Sequence, residues 1–141
     1  MEIREHKPED LDRILEIWLN SNIDAHNFID ESYWTGNYEM VKELLPKSKI
    51  HVYTVDGIIV GFIGLKEGKI EGLFVDENYR NRGIGKALMD KVKSKNSKLE
   101  LYVFKKNEEA RRFYKREGFI EILEELEDES GEMGILMRYT R

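Results

Sequence analysis

One decapeptide constrains this chain more than any other stretch: Tyr79-Arg80-Asn81-Arg82-Gly83-Ile84-Gly85-Lys86-Ala87-Leu88. The apolar run Leu73-Phe74-Val75 precedes it and an amphipathic stretch follows. The segment therefore reads as a strand, a basic glycine turn and a helix start. Such a turn aims several backbone N–H groups at one point, beside the positive end of the helix dipole. That is a ready site for phosphate. Gly83 and Gly85 let the backbone approach a ligand with no Cβ in the way. Arg80, Arg82 and Lys86 add charge, and Asn81 and Ile84 complete the turn. The first expectation is a phosphorylated cofactor held by residues 80–86.

The chain has 141 residues, 40% of them hydrophobic, and two prolines, which suits a single ordered domain over 1–141 with a real core. No apolar run is long enough to span a bilayer. Met1-Glu2-Ile3-Arg4-Glu5-His6 lacks the apolar centre of a secretion signal. The cytoplasm is the expected compartment, and neither a membrane nor a nucleic acid is an expected partner. Cysteine is absent, which removes disulfides, thiolate metal sites and a cysteine nucleophile. The three histidines, His6, His26 and His51, form no ligand motif, so no metal is expected. Net charge is −5 but unevenly placed. Residues 80–98 carry seven Lys or Arg and one acid, Asp90, whereas 121–132 carry seven Asp or Glu and no base. A polyanion site near the first segment and a cation-attracting surface near the second fit that asymmetry; two solvated faces are the plainer reading.

Hydrophobic period sets the element order. Residues 1–6 read as a strand. Pro8 opens a helix with Leu11, Ile14, Leu15 and Trp18 at helical spacing, ending near Asn20-Ser21-Asn22. A loop runs from Ile23 to Asp30. Ser32 is expected to cap a second helix carrying Tyr33, Trp34, Met40, Val41, Leu44 and Leu45, closed by Pro46. Ile50–Val55, Asp56-Gly57 and Ile58–Lys66 form a hairpin signal, and Glu67-Gly68 turns into a strand over Lys69–Val75. Ile84, Leu88 and Val92 then mark a helix face, Leu99–Val103 a strand, and Glu108–Glu117 a helix closed by Gly118. Glu121–Leu126 and Met133–Thr140 give a last hairpin. The order is β-α-α-β-β-β-α-β-α-β-β, an α/β domain with a mixed sheet.

Two familiar phosphate motifs fail. Gly68-Lys69 and Gly85-Lys86 are followed by Ile70 and Ala87, so no hydroxyl stands ready to hold Mg²⁺ as a Walker turn requires. A dinucleotide fingerprint needs Gly or Ala where Leu88 stands. A third pattern fits. Arg80-x-x-Gly83-x-Gly85 after Leu73-Phe74-Val75-Asp76 resembles the acetyl-CoA-binding motif of the GNAT superfamily of N-acetyltransferases. Asn107, Ala110, Phe113-Tyr114 and Gly118-Phe119 resemble that family's second cofactor segment. The element order matches as well, so the resemblance covers essentially the whole chain. His26-Asn27-Phe28-Ile29 and Tyr33-Trp34 are similar to a subgroup of small bacterial and archaeal acetyltransferases.

The resemblance implies a mixed, mostly antiparallel sheet flanked by helices, with acetyl-CoA as acetyl donor. It further implies that the pyrophosphate lies on the N–H groups of Arg82 through Lys86. Backbone groups of Leu73, Phe74 and Val75 would bind the pantetheine and polarise the acetyl carbonyl. Acetyl transfer to an amine also needs a neutral nucleophile and a protonated leaving sulfur. Tyr114 is the candidate acid, since a phenol of pKa near ~10 can protonate a thiolate. Asn107 is expected to bond the pantetheine or to cap its helix. Candidate bases are Glu71, placed by simple alternation on the face of Leu73 and Val75, and His26 in the first long loop; a positioned water is a third possibility. A base that some relatives carry on the later strand falls here at Tyr102 and does not transfer; Glu100 is a poorer substitute. His26, Phe28 and Tyr38 are candidate walls of an acceptor pocket. Trp34 is expected to be core.

The expected reaction is acetylation of a primary amine on a small molecule, an amino acid, a peptide or a protein. Direct attack in a ternary complex is favoured because no cysteine exists to carry the acetyl group; a serine or tyrosine acyl-enzyme stays open. The competing readings are a non-catalytic acyl-CoA-binding domain and, more remotely, a nucleic-acid module using the basic helix. The sequence does not choose between a monomer and a homodimer.

Overall fold

The structure, a computed structural model, describes residues 1–141. Seven strands form one sheet in the order β1-β2-β3-β4-β5-β7-β6. They are β1 (Glu2–Glu5), β2 (Lys49–Val55), β3 (Ile58–Lys66), β4 (Lys69–Val75), β5 (Lys98–Phe104), β6 (Ile120–Glu127) and β7 (Glu132–Thr140). Every neighbouring pair is antiparallel except β4 and β5, which run parallel. Five helices complete the chain: α1 (Leu11–Ala25), α2 (Glu31–Gly36), α3 (Tyr38–Leu44), α4 (Ile84–Lys93) and α5 (Glu108–Arg116). The expected mixed, mostly antiparallel architecture is therefore the one found.

Local chemistry explains the joints. Asp56-Gly57 and Glu67-Gly68 hold positive φ at both turn positions, 52° and 78° in the first and 52° and 80° in the second. Two such residues make the twisted turn that matches paired antiparallel strands. The expected helix from Ser32 to Pro46 is broken instead into α2 and α3. Asp30, not Ser32, is the cap: its side chain accepts from the Ser32 N–H at 2.9 Å. At the break, the Asn37 side-chain amide donates to the Tyr33 carbonyl at 2.6 Å. A side chain that binds main chain locally competes with the helical ladder. Helix α1 runs past its expected end, through Ala25, and takes up the start of the expected loop.

Two cores lie on opposite faces of the sheet. On one face α1, α2 and α3 cover Ile50, Val52 and Phe62, with Ile14, Ile17, Trp18 and Trp34 inserted. On the other, Ile84, Leu88, Met89 and Val92 of α4 pack with Ile63, Leu99, Leu101, Ile135 and Met137. Lys93 and Glu117, both largely buried, join the ends of α4 and α5 at 2.9 Å. A bulge interrupts β4 against β3: Gly64 pairs with Gly72 and Leu65 with Ile70, leaving Glu71 as the extra residue. This corrects the parity expected for Glu71. Its Cβ lies 4.0 Å from where a Gly64 Cβ would stand, close to Ile50, on the α1 face. Leu73 and Val75 pack on the α4 face.

Candidate active site

Strands β4 and β5 share a single pair, Lys69 with Glu100, where the Glu100 N–H donates to the Gly68 carbonyl at 3.0 Å. Beyond it they diverge. The opening is a cavity of ≈ 840 Å³ running between β4, β5, α1, α4 and α5. Cavities of this size suit a cofactor-sized ligand.

The divergence frees main-chain groups on β4. The Asp76 N–H donates to Val60 of β3 at 2.8 Å. Alternation along the ladder then turns Phe74 toward β3 as well, and Leu73 and Val75 toward the opening. Of the three backbone positions expected to serve a ligand, Leu73 and Val75 face the cavity, whereas Phe74 spends its groups on the sheet. Its ring contributes to the α1-side core and folds back over Gly72, where a Cβ would stand 2.6 Å from it.

At the cavity's basic end lies the glycine turn. Gly83 caps α4 with φ 80° and no side-chain bond, and Asn81 also has positive φ, 63°. The first intrahelical bond runs from the Ala87 N–H to the Gly83 carbonyl at 3.0 Å. The N–H groups of Ile84, Gly85 and Lys86 precede it and have no helical partner. Nothing lies within 4 Å of where a Gly83 Cβ would stand. A bare helix start with open space before it fits the phosphates of acetyl-CoA. The flanking charges are placed unequally. Arg80 binds Asp24 of α1 at 2.8 Å and donates to the Val75 carbonyl at 3.4 Å. The guanidinium of Arg82 sits over the Tyr79 ring, 5.1 Å from its centroid, and does not line the cavity. The Lys86 ammonium stands 3.6 Å from Glu117.

Tyr114 lines the cavity from α5, with its half-buried ring against Phe113 and Phe119. Burial pushes its phenol up to about 12, so the group keeps its proton across the neutral range. Asn107 caps α5: its Oδ1 accepts from the Ala110 N–H at 3.2 Å. Its Nδ2 points the other way, 3.1 Å from His26 Nε2.

His26 differs most from expectation. It is only 6% exposed, at the C-terminal cap of α1, stacked on Trp34 with a ring separation of 5.2 Å. Its Nδ1 lies 3.1 Å from the Asn22 carbonyl. Both ring nitrogens are engaged, so the imidazole has no lone pair for an acceptor amine, and the base role is not carried forward. Burial also holds its pKa below the ordinary imidazole value. Phe28 packs edge-on against His26 and Phe104 rather than lining the cavity. Tyr38 lies in a separate shallow hollow with Asp12, Glu16 and Thr35. Neither walls the cavity as expected; Trp34, expected in the core, does so as well as packing there.

The other end of the cavity is acidic. Glu71, Glu125 and Glu127 line it with Tyr33 and Tyr102. The Tyr33 hydroxyl donates to Glu127 at 2.6 Å, joining α2 to the end of β6. Sequence reading registered the acids of 121–132 only as a charged run. Strand alternation was the available signal, and the bulge between Glu121 and Leu123 obscures it. No cluster of three or more His, Cys, Asp or Glu is arranged to hold a metal ion, and no helix is long and apolar enough to cross a membrane.

Comparison with known proteins agrees with this geometry. Residues 19–140 match the acetyltransferase (GNAT) domain family. The peptidyl-lysine N-acetyltransferase YiaC of Escherichia coli K12 is 38% identical over 119 residues, 83% of this chain and 82% of that protein. The solution structure of apo YjaB from Escherichia coli superposes with a TM-score of 0.87 at 27% identity, over 98% of this chain and 96% of that one. A putative streptothricin acetyltransferase from Bacillus anthracis, solved with acetyl coenzyme A, is 26% identical with a TM-score of 0.61, over 67% and 62% of the two chains.

Proposed function

Since the chain belongs to the GNAT acetyltransferase family and is an acetyl-CoA-dependent N-acetyltransferase, we propose that its acceptor is the side-chain amine of a lysine within a peptide or protein. One observation carries this reading: bases line the cavity beside α4, and carboxylates line it on β4 and β6. The donor end has the bare N-terminus of α4, with Arg80 and Lys86, while the acceptor end has Glu71, Glu125 and Glu127. A lysine ammonium approaching that end meets a favourable field. The YiaC relative is named a peptidyl-lysine N-acetyltransferase, which supports the same class.

Acetyl-CoA supplies an acyl thioester, whose carbonyl carbon the acceptor amine attacks. The chain's own groups do the rest. The N–H groups of Ile84, Gly85 and Lys86 hold phosphate oxygens. The N–H groups of Leu73 and Val75 face the opening and bind the donor's amide and carbonyl groups, fixing the carbonyl and drawing charge toward its oxygen. Glu71, turned to the α1 face by the bulge, takes the proton from the incoming ammonium, directly or through one water. Tyr114 gives its hydroxyl proton to the departing sulfur as the C–S bond breaks, and the proton left on the new amide nitrogen returns to the Tyr114 oxygen, so that the net proton released is the one Glu71 took. Holding both substrates at once makes a covalent acyl-enzyme unnecessary.

The deciding experiment offers purified protein and acetyl-CoA a panel of lysyl peptides, N-terminal α-amines and small amines, with products located by mass spectrometry. Acetyl-lysine is expected to dominate, with faster turnover when the lysine is flanked by further bases. Exclusive acetylation of α-amines or small amines would overturn the lysine assignment. Acetylated enzyme in a quench without acceptor would overturn direct transfer.

A further inference from the structure

The end of α1 touches both walls of the cavity. Asp24 binds Arg80 on the β4–α4 wall at 2.8 Å. His26 meets Asn107 on the β5–α5 wall at 3.1 Å. The second contact fixes its own chemistry. The Asn107 oxygen accepts from the Ala110 N–H, so the Asn107 amide nitrogen must face the imidazole. A donating amide requires an acceptor, hence His26 Nε2 carries no proton. The proton is then on Nδ1, where the Asn22 carbonyl, 3.1 Å away, requires a donor. The three demands agree on one neutral tautomer. Aromatic rings surround the imidazole: Trp34 from α2, Phe104 from β5 and Phe28 from the connecting loop.

We infer that His26 is a positioning residue: as its neutral Nδ1–H tautomer it locks the Asn107 side chain, and with it the first turn of α5, the helix that places Tyr114 on the cavity. Cutting the link leaves the Asn107 amide half-buried and unpaired. The amide then has cause to rotate, which would withdraw its oxygen from the α5 cap. The donor phosphates lie at α4, on the opposite side of the opening, so the effect falls on turnover rather than on CoA affinity.

This inference rests on the acetyl-transfer reading but not on the identity of the acceptor. The test has two parts. Nitrogen-15 NMR of the imidazole in the free enzyme, which needs no turnover, is expected to show the proton on Nδ1; a proton on Nε2 overturns the inference. His26→Phe keeps the aromatic volume and removes both bonds, and His26→Gln supplies one donor and one acceptor. With any amine that turns over, the Phe variant is expected to lose ~10- to ~100-fold in kcat, with CoA Kd within about twofold and substantial recovery in the Gln variant. An unchanged kcat in the Phe variant, or equal losses of kcat and CoA affinity in both, overturns it. Should the Phe variant not fold, the tautomer and the Gln variant still decide. A panel in which lysine fails and another amine succeeds would sink the acceptor proposal and leave this one standing.

Discussion

A phenol in water loses its proton near pH ~10; packed against Phe113 and Phe119, Tyr114 holds it to about 12. An acid must be protonated to act, so activity that depends on it falls only as pH rises through its pKa. The pH profile of kcat should therefore show no descending limb from Tyr114 between about pH 8 and about pH 11. Tyr114→Phe should lower kcat by ~100-fold or more while CoA affinity stays nearly unchanged. A limb near pH ~10 that disappears in the variant, or an unaffected kcat, would remove Tyr114 from the acid role. The placement of Tyr114 on its helix and the capping by Asn107 were legible because their signal is local: a cap, a helical spacing and a glycine within twelve positions, Asn107 to Gly118. The pairing of His26, a residue that lines the cavity as expected, was not legible because its partner, Asn107, lies 81 residues away.

Elements that depend on backbone conformation offer the sharpest substitutions. Gly83 holds φ 80°, which a β-branched side chain resists. A Cβ there also projects into the open space before α4. Gly83→Val should raise the CoA Kd by more than ~10-fold, a loss above about 1.4 kcal/mol, measurable by titration calorimetry; retained affinity would break the phosphate argument. Gly72→Ala tests the other wall. Its Cβ would stand 2.6 Å from the Phe74 ring, so the ring must swing away from the core. A cost of ~1–3 kcal/mol is expected in chemical denaturation, with acetyl-transfer reduced as β4 shifts. The hairpins were readable because Asp56-Gly57 and Glu67-Gly68 name their own turn type. The break between α2 and α3 was not, since Tyr33, Trp34 and Val41 satisfy one continuous helical face and Asn37 interrupts it by a local bond. The β4 bulge was equally hidden, because nothing in Ile70-Glu71-Gly72 marks one residue as extra.

Across the whole molecule, the parting of β4 from β5 leaves two main-chain positions without sheet partners in an otherwise paired strand. The Leu73 and Val75 amides should exchange with deuterium faster than their neighbours Phe74 and Asp76 in the free protein, and slow when CoA is added. Equal protection in both states would mean that β4 does not contact the donor.

β6 is one of the two outer strands of the sheet, and it exposes Ile120, Ile122, Leu123 and Leu126. An exposed strand edge with apolar side chains is a template for adding further strands from other molecules. The intervening Glu121, Glu124, Glu125 and Glu127 place like charges wherever a second β6 would dock. Replacing Glu124 and Glu125 by Gln should therefore raise light scattering on storage, with the largest difference from the parent protein at low salt, where the repulsion is unscreened; unchanged scattering would argue that another feature guards the edge. The acids proposed to draw a cationic substrate toward the cavity would thus also set how concentrated a solution of this protein can become before its molecules begin to extend one another's sheets.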